Sequence, residues 1–182
     1  MLILKQRLPT QRNLVAVYAV SMFLVYSWTL YTSFWKLPSW LFFLRAGDII
    51  SIYSYAFLVN FLESLLLLSI VLFVTFVLPR RWRRDVFTAR GVALMLVIFG
   101  SAIIHLSLYK TPDTRAAFVN GQLTWWLATL LIGVLLTWVA GRVTWLRQGL
   151  ESAADRFVVF LYLYLPLSIA AFLIVVWRLY GR

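Results

Sequence analysis

Five long apolar runs, separated by short polar segments, dominate the pattern along the chain. The runs cover residues 14–31, 52–78, 92–108, 123–140 and 157–177. Most approach or exceed the roughly 20 apolar residues that an α-helix needs to cross the hydrocarbon core of a bilayer. The pattern therefore predicts an all-α polytopic membrane protein, a bundle of five transmembrane helices that forms a single domain over residues 1–182.

The segment between the first two runs, residues 32–51, is less regular. Pro38 interrupts it, and Arg45 and Asp48 make it costly to place in lipid. Its apolar stretch, residues 40–44, is too short to span a bilayer. We expect a short interfacial helix here, lying among the lipid headgroups before the second span.

Composition places the chain outside the range of soluble proteins. Hydrophobic residues make up 63% of it, against about 45–50% in soluble domains. The net charge of +11 would suggest nucleic acid as a partner of a soluble protein. Here, however, the basic residues lie between the apolar runs, which is a topology pattern, so no nucleic-acid partner is predicted. The absence of cysteine excludes disulfides, thiolate metal sites and thiol catalysis.

The distribution of basic residues predicts an orientation. Segments 1–13, 79–91 and 141–156, which five spans place on one side, hold 11 of the 17 Lys and Arg residues. The positive-inside rule then puts the N-terminus in the cytoplasm and the C-terminus outside, in a multi-pass protein of the plasma or inner membrane. The densest cluster is expected to contact anionic phospholipids or other phosphate groups. It consists of Arg80, Arg81, Arg83 and Arg84.

Two ionisable side chains, Glu63 and His105, fall inside the apolar runs. Counted from the inner ends of their spans, they lie about 22 and 20 Å deep, at similar heights. Asn60 precedes Glu63 by one turn and Ser101 precedes His105 by one turn. A carboxylate at this depth costs roughly 2.5–3.5 kcal/mol unless it is protonated, paired or hydrated. These four residues are the candidates for an outward-facing proton or cation site; the alternative is a polar contact between helices that only fixes their register.

Small and hydroxyl-bearing residues recur at four-residue steps along the fourth run. Such a stripe lets helices approach closely, either within the chain or between two chains. We expect Thr129, Gly133 and Thr137 to serve in helix packing, more readily within the chain than in a homo-oligomer.

Sequence motifs of common membrane enzymes are absent. The chain has no phosphate-binding glycine-rich loop with a lysine, no His-Glu-x-x-His, no Gly-x-Ser-x-Gly and no pair of intramembrane aspartates. No catalytic residue, metal or cofactor is predicted. The leading hypothesis is a non-catalytic accessory or assembly subunit that packs against lipid and a membrane-protein partner. The alternatives are a small transporter or channel component that uses Glu63 and His105, and a lipid-processing enzyme that uses the arginine cluster.

Overall fold

The computed structural model describes residues 9–77, 86–108 and 115–181. These ranges form five α-helices and contain no strand, which confirms the predicted all-α helical bundle. The helices are α1 (Gln11–Phe43), α2 (Ala46–Val77), α3 (Phe87–Leu108), α4 (Arg115–Arg142) and α5 (Thr144–Tyr180).

Each of the five helices contains a segment long and apolar enough to cross a membrane. These segments run from 22 to 37 residues, and at 1.5 Å per residue they measure about 33 to 55 Å. The hydrocarbon core is about 30 Å thick. The architecture is therefore that of a multi-pass membrane protein, and its longest helices are longer than the hydrocarbon core is thick.

The prediction of a separate interfacial helix before the second span is wrong, because residues 34–43 continue α1. The helix passes through Pro38, which has no backbone N–H to donate to the carbonyl of Phe34, so that one helical hydrogen bond is missing. Contacts with α2 hold this end in place: the Trp40 and Tyr53 rings are 6.2 Å apart, and the Tyr53 hydroxyl donates to Ser33 Oγ at 3.1 Å. The second helix accordingly begins at Ala46 rather than at residue 52.

The charged segment 141–156, which the pattern predicts as a loop, is helical over most of its length. Only Val143 separates α4 from α5, and its N–H still bonds the carbonyl of Val139 at 2.9 Å. Within α5, Arg147 and Glu151 form an ion pair at 2.9 Å with i,i+4 spacing. Such a pair supports a helix, so the charges mark a solvated helical turn rather than an interruption.

Contacts between Cα atoms divide the chain into two compact units. One, the α3–α4 unit, comprises residues up to Leu14 and Val71–Ala154. The other, the α1–α2–α5 unit, comprises Val15–Ile70 and residues from Asp155 onwards. In the α3–α4 unit, α3 and α4 pack against each other. The single-domain organisation of residues 1–182 stays a prediction.

Candidate functional site

Tyr26 lies at the centre of the α1–α2–α5 unit. Its side chain is fully buried and its ring stacks on Tyr164 of α5 at 4.6 Å and on Phe57 of α2 at 5.5 Å. The Tyr26 hydroxyl lies 2.5 Å from Ser168 Oγ and 3.0 Å from the carbonyl oxygen of Phe57. One side chain of α1 therefore joins both other helices of the unit by ring contacts and by hydrogen bonds.

Asn60, one of the four predicted site residues, is buried beside α1 with 3% of its surface exposed. Its Oδ1 accepts a hydrogen bond from Thr29 Oγ1 at 3.0 Å. Its Nδ2 has no hydrogen-bond partner among the residues that the structure describes. Thr29 also lines a cavity of about 160 Å³, together with Lys36 and Tyr53. A buried amide with one group unpaired is costly and therefore calls for an explanation.

Glu63 lies one turn after Asn60 but in different surroundings. Asn60 and Ser64, four residues apart, are both buried, whereas Glu63 is exposed at the surface of the chain. The spacing that predicts one shared helix side thus holds for Asn60 and Ser64, and Glu63 lies outside it. Its assignment to a proton or cation site stays a prediction.

Ser101 and His105 both contact Trp125 of α4. The Trp125 Nε1–H donates to Ser101 Oγ at 2.9 Å, and the Trp125 and His105 rings lie 4.8 Å apart. Ser101 Oγ is also 2.6 Å from Thr129 Oγ1, which donates to the carbonyl of Trp125 at 2.9 Å. When Ser101 donates to Thr129, each of the three donors has an acceptor. The result is a closed hydrogen-bonded group, the Ser101 cluster (Ser101, Trp125 and Thr129), which lies beside the His105 ring.

The four predicted proton-site residues are divided between the two units. Asn60 and Glu63 belong to the α1–α2–α5 unit, and Ser101 and His105 belong to the α3–α4 unit. Each pair therefore has its own local environment: Asn60 bonds to α1, and Ser101 bonds to α4.

The residues predicted to serve in helix packing lie along α4 on the side that meets α3. Thr129 and Thr137 are buried. A Cβ on Gly133 would lie 3.7 Å from side-chain atoms of Leu94 and of Val97, both on α3. Gly133 therefore permits ordinary van der Waals contact between the two helices, which is the geometry expected of packing within the chain.

A groove of about 480 Å³ runs between α3, α4 and the first turns of α5 within the α3–α4 unit. We call it the α3–α4 groove. Its lining is aliphatic except at the Ser101 cluster, which lies towards one end. Ala93, Ala140 and Leu146 line the other end. Because this groove is apolar and has a single polar point, its chemistry suits a hydrocarbon ligand.

Several basic residues lie near the Ala93 end of the α3–α4 groove. The Arg90 guanidinium packs against Gly141, and the Arg142 guanidinium lies 4.8 Å above the Trp138 ring. Arg147 forms its ion pair with Glu151. The predicted phosphate-binding cluster, on which the hypothesis of a lipid-processing enzyme depends, lies outside the described residues. It consists of Arg80, Arg81, Arg83 and Arg84.

Sequence reasoning did not identify the Ser101 cluster, although part of the signal was present. Trp125 and Thr129 are four residues apart on α4, which places them on one face. The partner on α3 cannot be found from the spacing of one helix, because a periodicity gives a face and not its neighbour. Comparison with models of protein families, with curated proteins and with solved structures finds no match for this chain.

Proposed function

We propose that this protein is a non-catalytic accessory or assembly subunit of a membrane complex, which packs against lipid and against the helices of a partner. The proposal rests chiefly on the outer face of α4. Leu123, Leu130 and Leu131 of this helix expose 74%, 62% and 69% of their surfaces. Apolar surface of this extent belongs in lipid or against another helix.

The polar side chains between helices support the same role. Tyr26 bonds to α2 and α5, Thr29 bonds to Asn60, and Ser101 bonds to α4. Hydrogen bonds of this kind set the register of packed helices in lipid. Because these polar groups bond to one another between helices, the surface available to other molecules consists mainly of apolar helix faces.

Purification in a mild detergent tests the proposal. We expect the chain to come with a stoichiometric membrane-protein partner. Replacing exposed leucines of α4 by alanine, as in Leu130→Ala with Leu131→Ala, should release that partner while the helical circular dichroism stays unchanged. The matched control is Leu163→Ala with Leu173→Ala on α5, whose side chains are also exposed. A chain that is recovered alone, and that forms no cross-links in its native membrane, would contradict the proposal.

A transporter or channel component is the second candidate. Its support is the buried Asn60 amide, whose Nδ2 has no partner among the described residues, one turn before the exposed carboxyl of Glu63. In this function the candidates for an outward-facing proton or cation site are Asn60 and Glu63 in the α1–α2–α5 unit and Ser101 and His105 in the α3–α4 unit. Proton and cation flux into liposomes should fall in Glu63→Gln and in His105→Ala. Glu151→Gln, which removes a carboxylate from a surface ion pair, is the control and should leave the flux unchanged.

Two results would refute the transporter candidate. The wild-type protein could show no flux, or a flux could survive both Glu63→Gln and His105→Ala. The first result would show that the protein does not transport these ions. The second would show that transport does not depend on Glu63 and His105.

The proposed orientation has a cytoplasmic N-terminus and an exterior C-terminus, in the plasma or inner membrane. It is supported by the 11 of 17 basic residues on the side of residues 1–13. Because the chain has no cysteine, single cysteines report position on a clean background. An impermeant maleimide added outside the cell should label Tyr180→Cys and should not label Gln148→Cys. The reverse pattern, or equal labelling, would overturn the orientation.

A further inference from the structure

A polar cavity of about 160 Å³ lies between α1 and α2, towards the C-terminal end of α1. We call it the α1–α2 cavity. Its lining reaches along α1 from Thr29 to Trp40 and includes Tyr53 of α2. It is smaller than the roughly 300–1,000 Å³ of sites for drug-sized molecules, but several times the share of about 30 Å³ that one water occupies in the liquid. The cavity therefore suits a ligand of a few non-hydrogen atoms.

Four residues that line the α1–α2 cavity carry hydroxyl groups, and the protein already uses the proton of each. Thr29 donates to Asn60 Oδ1 at 3.0 Å, and Tyr53 donates to Ser33 Oγ at 3.1 Å. Thr32 and Ser33 each donate to a carbonyl oxygen of their own helix at 2.9 Å. A hydroxyl oxygen has two lone pairs, so these groups can still accept hydrogen bonds. The hydroxyl oxygens therefore suit a ligand that donates N–H groups.

Lys36 and Trp40 also line the α1–α2 cavity, and their side chains are hydrogen-bond donors. They are four residues apart and therefore share one side of α1. Neither the Lys36 ammonium nor the Trp40 indole N–H has a hydrogen-bond partner among the residues that the structure describes. Lys36 is the one charged residue among the described residues of the lining. These two side chains therefore suit a ligand that carries an anionic group.

We propose that the α1–α2 cavity binds a small zwitterion that has a primary ammonium group. Its anionic group pairs with Lys36 and the Trp40 N–H, and its ammonium donates to the hydroxyl oxygens of the lining. A simple anion would leave those oxygens without donors, and a simple cation would be repelled by Lys36. A zwitterion satisfies both sets of groups at once. The site does not depend on the accessory function, since ligand binding and copurification of a partner are measured separately.

Two kinds of molecule carry this combination of charges. One is the headgroup of phosphatidylethanolamine, which has a phosphate and a primary ammonium, and the other is a free amino acid such as glycine. Each has a matched relative in which methyl groups replace the N–H donors: phosphatidylcholine for the lipid and trimethylglycine for the amino acid. The relatives keep both charges but cannot donate to the hydroxyl oxygens. Phosphatidylglycerol and acetate are the second pair of controls, because they carry the anionic group without an ammonium.

Binding to the chain purified in detergent tests the proposal and identifies the source of the zwitterion. For a lipid headgroup, native mass spectrometry should show that phosphatidylethanolamine is retained severalfold better than phosphatidylcholine and phosphatidylglycerol. For a free zwitterion, isothermal titration calorimetry should show that glycine binds and that trimethylglycine and acetate do not. Either result supports the site, and the pair of measurements shows which of the two molecules occupies it.

Two substitutions locate the bound molecule in the α1–α2 cavity. Lys36→Gln removes the cation and should weaken binding about tenfold, since hydrogen bonds to charged groups are stronger than neutral ones. Arg45→Gln is its control, because Arg45 is also basic and exposed but does not line the cavity. Thr32→Val removes one acceptor and should weaken binding severalfold. Thr75→Val on α2 is its control, since the Thr75 hydroxyl also donates within its own helix, to the Val71 carbonyl, outside the lining.

Three outcomes would overturn the proposal. The first is that neither phosphatidylethanolamine nor glycine binds. The second is that a control molecule without N–H donors, or without the ammonium, binds as well as its parent. The third is that Lys36→Gln binds the ligand as tightly as Arg45→Gln does. Melting temperatures of the ligand-free variants equal to that of the wild type confirm that they fold. Should Thr32→Val unfold, Lys36→Gln decides alone, because Lys36 is exposed.

Discussion

The guanidinium group of Arg90 occupies the space that the first side-chain atom of any residue other than glycine would need at position 141. Gly141 lies next to the last residue of α4, so the absence of a side chain lets a cation of α3 approach the C-terminal turn of α4. The contact therefore depends on the absence of a side chain at Gly141.

Gly141→Ala should destabilise the protein. Arg90 must move to admit the methyl group, and overpacking of this kind costs about 1–3 kcal/mol. Gly149→Ala is the matched control, because an added Cβ at this helical position meets no atom within 4 Å. It should stabilise the protein by about 0.5–1 kcal/mol through helix propensity. Unfolding in detergent, followed by circular dichroism, measures both variants, and a shift of the same sign in both would disprove the steric role of Arg90.

Ser101→Ala should destabilise the α3–α4 unit. The change removes the acceptor of Trp125 Nε1–H and leaves that donor unpaired, at an expected cost of about 1–3 kcal/mol. Ser107→Ala on the same helix is the control, because the exposed Ser107 hydroxyl donates only to its own helix, at the Ile104 carbonyl. Thermal unfolding, followed by circular dichroism, measures the change. Equal melting temperatures for the two variants would show that the Ser101 cluster contributes no stability.

The sequence predicts the spans well because their signal is local. Runs of apolar residues identify all five helices, and every predicted span overlaps one of them. The ends are less predictable because polar residues and proline are compatible with helix near an interface. Pro38 lies inside α1, and Arg147 and Glu151 pair on α5, where the pattern predicts a break and a loop. Contacts with neighbouring turns and helices decide these ends.

Thr29→Val and Asn60→Leu should be strongly non-additive. Thr29→Val alone leaves both polar ends of the buried Asn60 side chain unpaired and should cost about 1–3 kcal/mol. The double variant also removes the Nδ2 group that has no partner among the described residues. It should therefore be more stable than Thr29→Val alone, and close to the wild type. A double-mutant cycle of unfolding free energies measures the coupling.

The unfolding free energies of Thr29→Val and Asn60→Leu could instead prove additive. That result would show that the 3.0 Å contact between Thr29 Oγ1 and Asn60 Oδ1 carries no energy. The transporter candidate predicts in addition that Asn60→Leu changes proton or cation flux as well as stability.

Residue contacts at the candidate sites are less predictable than the spans. Helical spacing places Thr129, Gly133 and Thr137 on one face of α4, and in the structure this face lies against α3. The same rule groups Asn60 with Glu63, although Asn60 is buried and Glu63 is exposed. A step of three residues turns a helix by about 300° and a step of four by about 400°. Residues at either step can therefore lie on opposite edges of one contact face.

Tyr26→Phe should weaken the α1–α2–α5 unit while leaving its shape unchanged. The ring contacts with Phe57 and Tyr164 remain, but the hydroxyl that joins Ser168 and the Phe57 carbonyl is lost. Hydrogen bonds between helices in lipid contribute about 0.6 kcal/mol on average and about 1.7 kcal/mol at most. We expect a loss towards the upper value, because this hydroxyl serves two helices at once.

Tyr162→Phe on α5 is the control for this change, since 81% of Tyr162 is exposed and its hydroxyl is expected to contribute little. Unfolding of both variants in detergent gives the difference. Ser168→Ala supplies an independent check, because it removes the other hydroxyl of the same pair. If the pair acts as a unit, the combination of Tyr26→Phe with Ser168→Ala costs less than the sum of the single changes. A sum that is strictly additive would mean that the contact between the Tyr26 hydroxyl and Ser168 Oγ carries no energy.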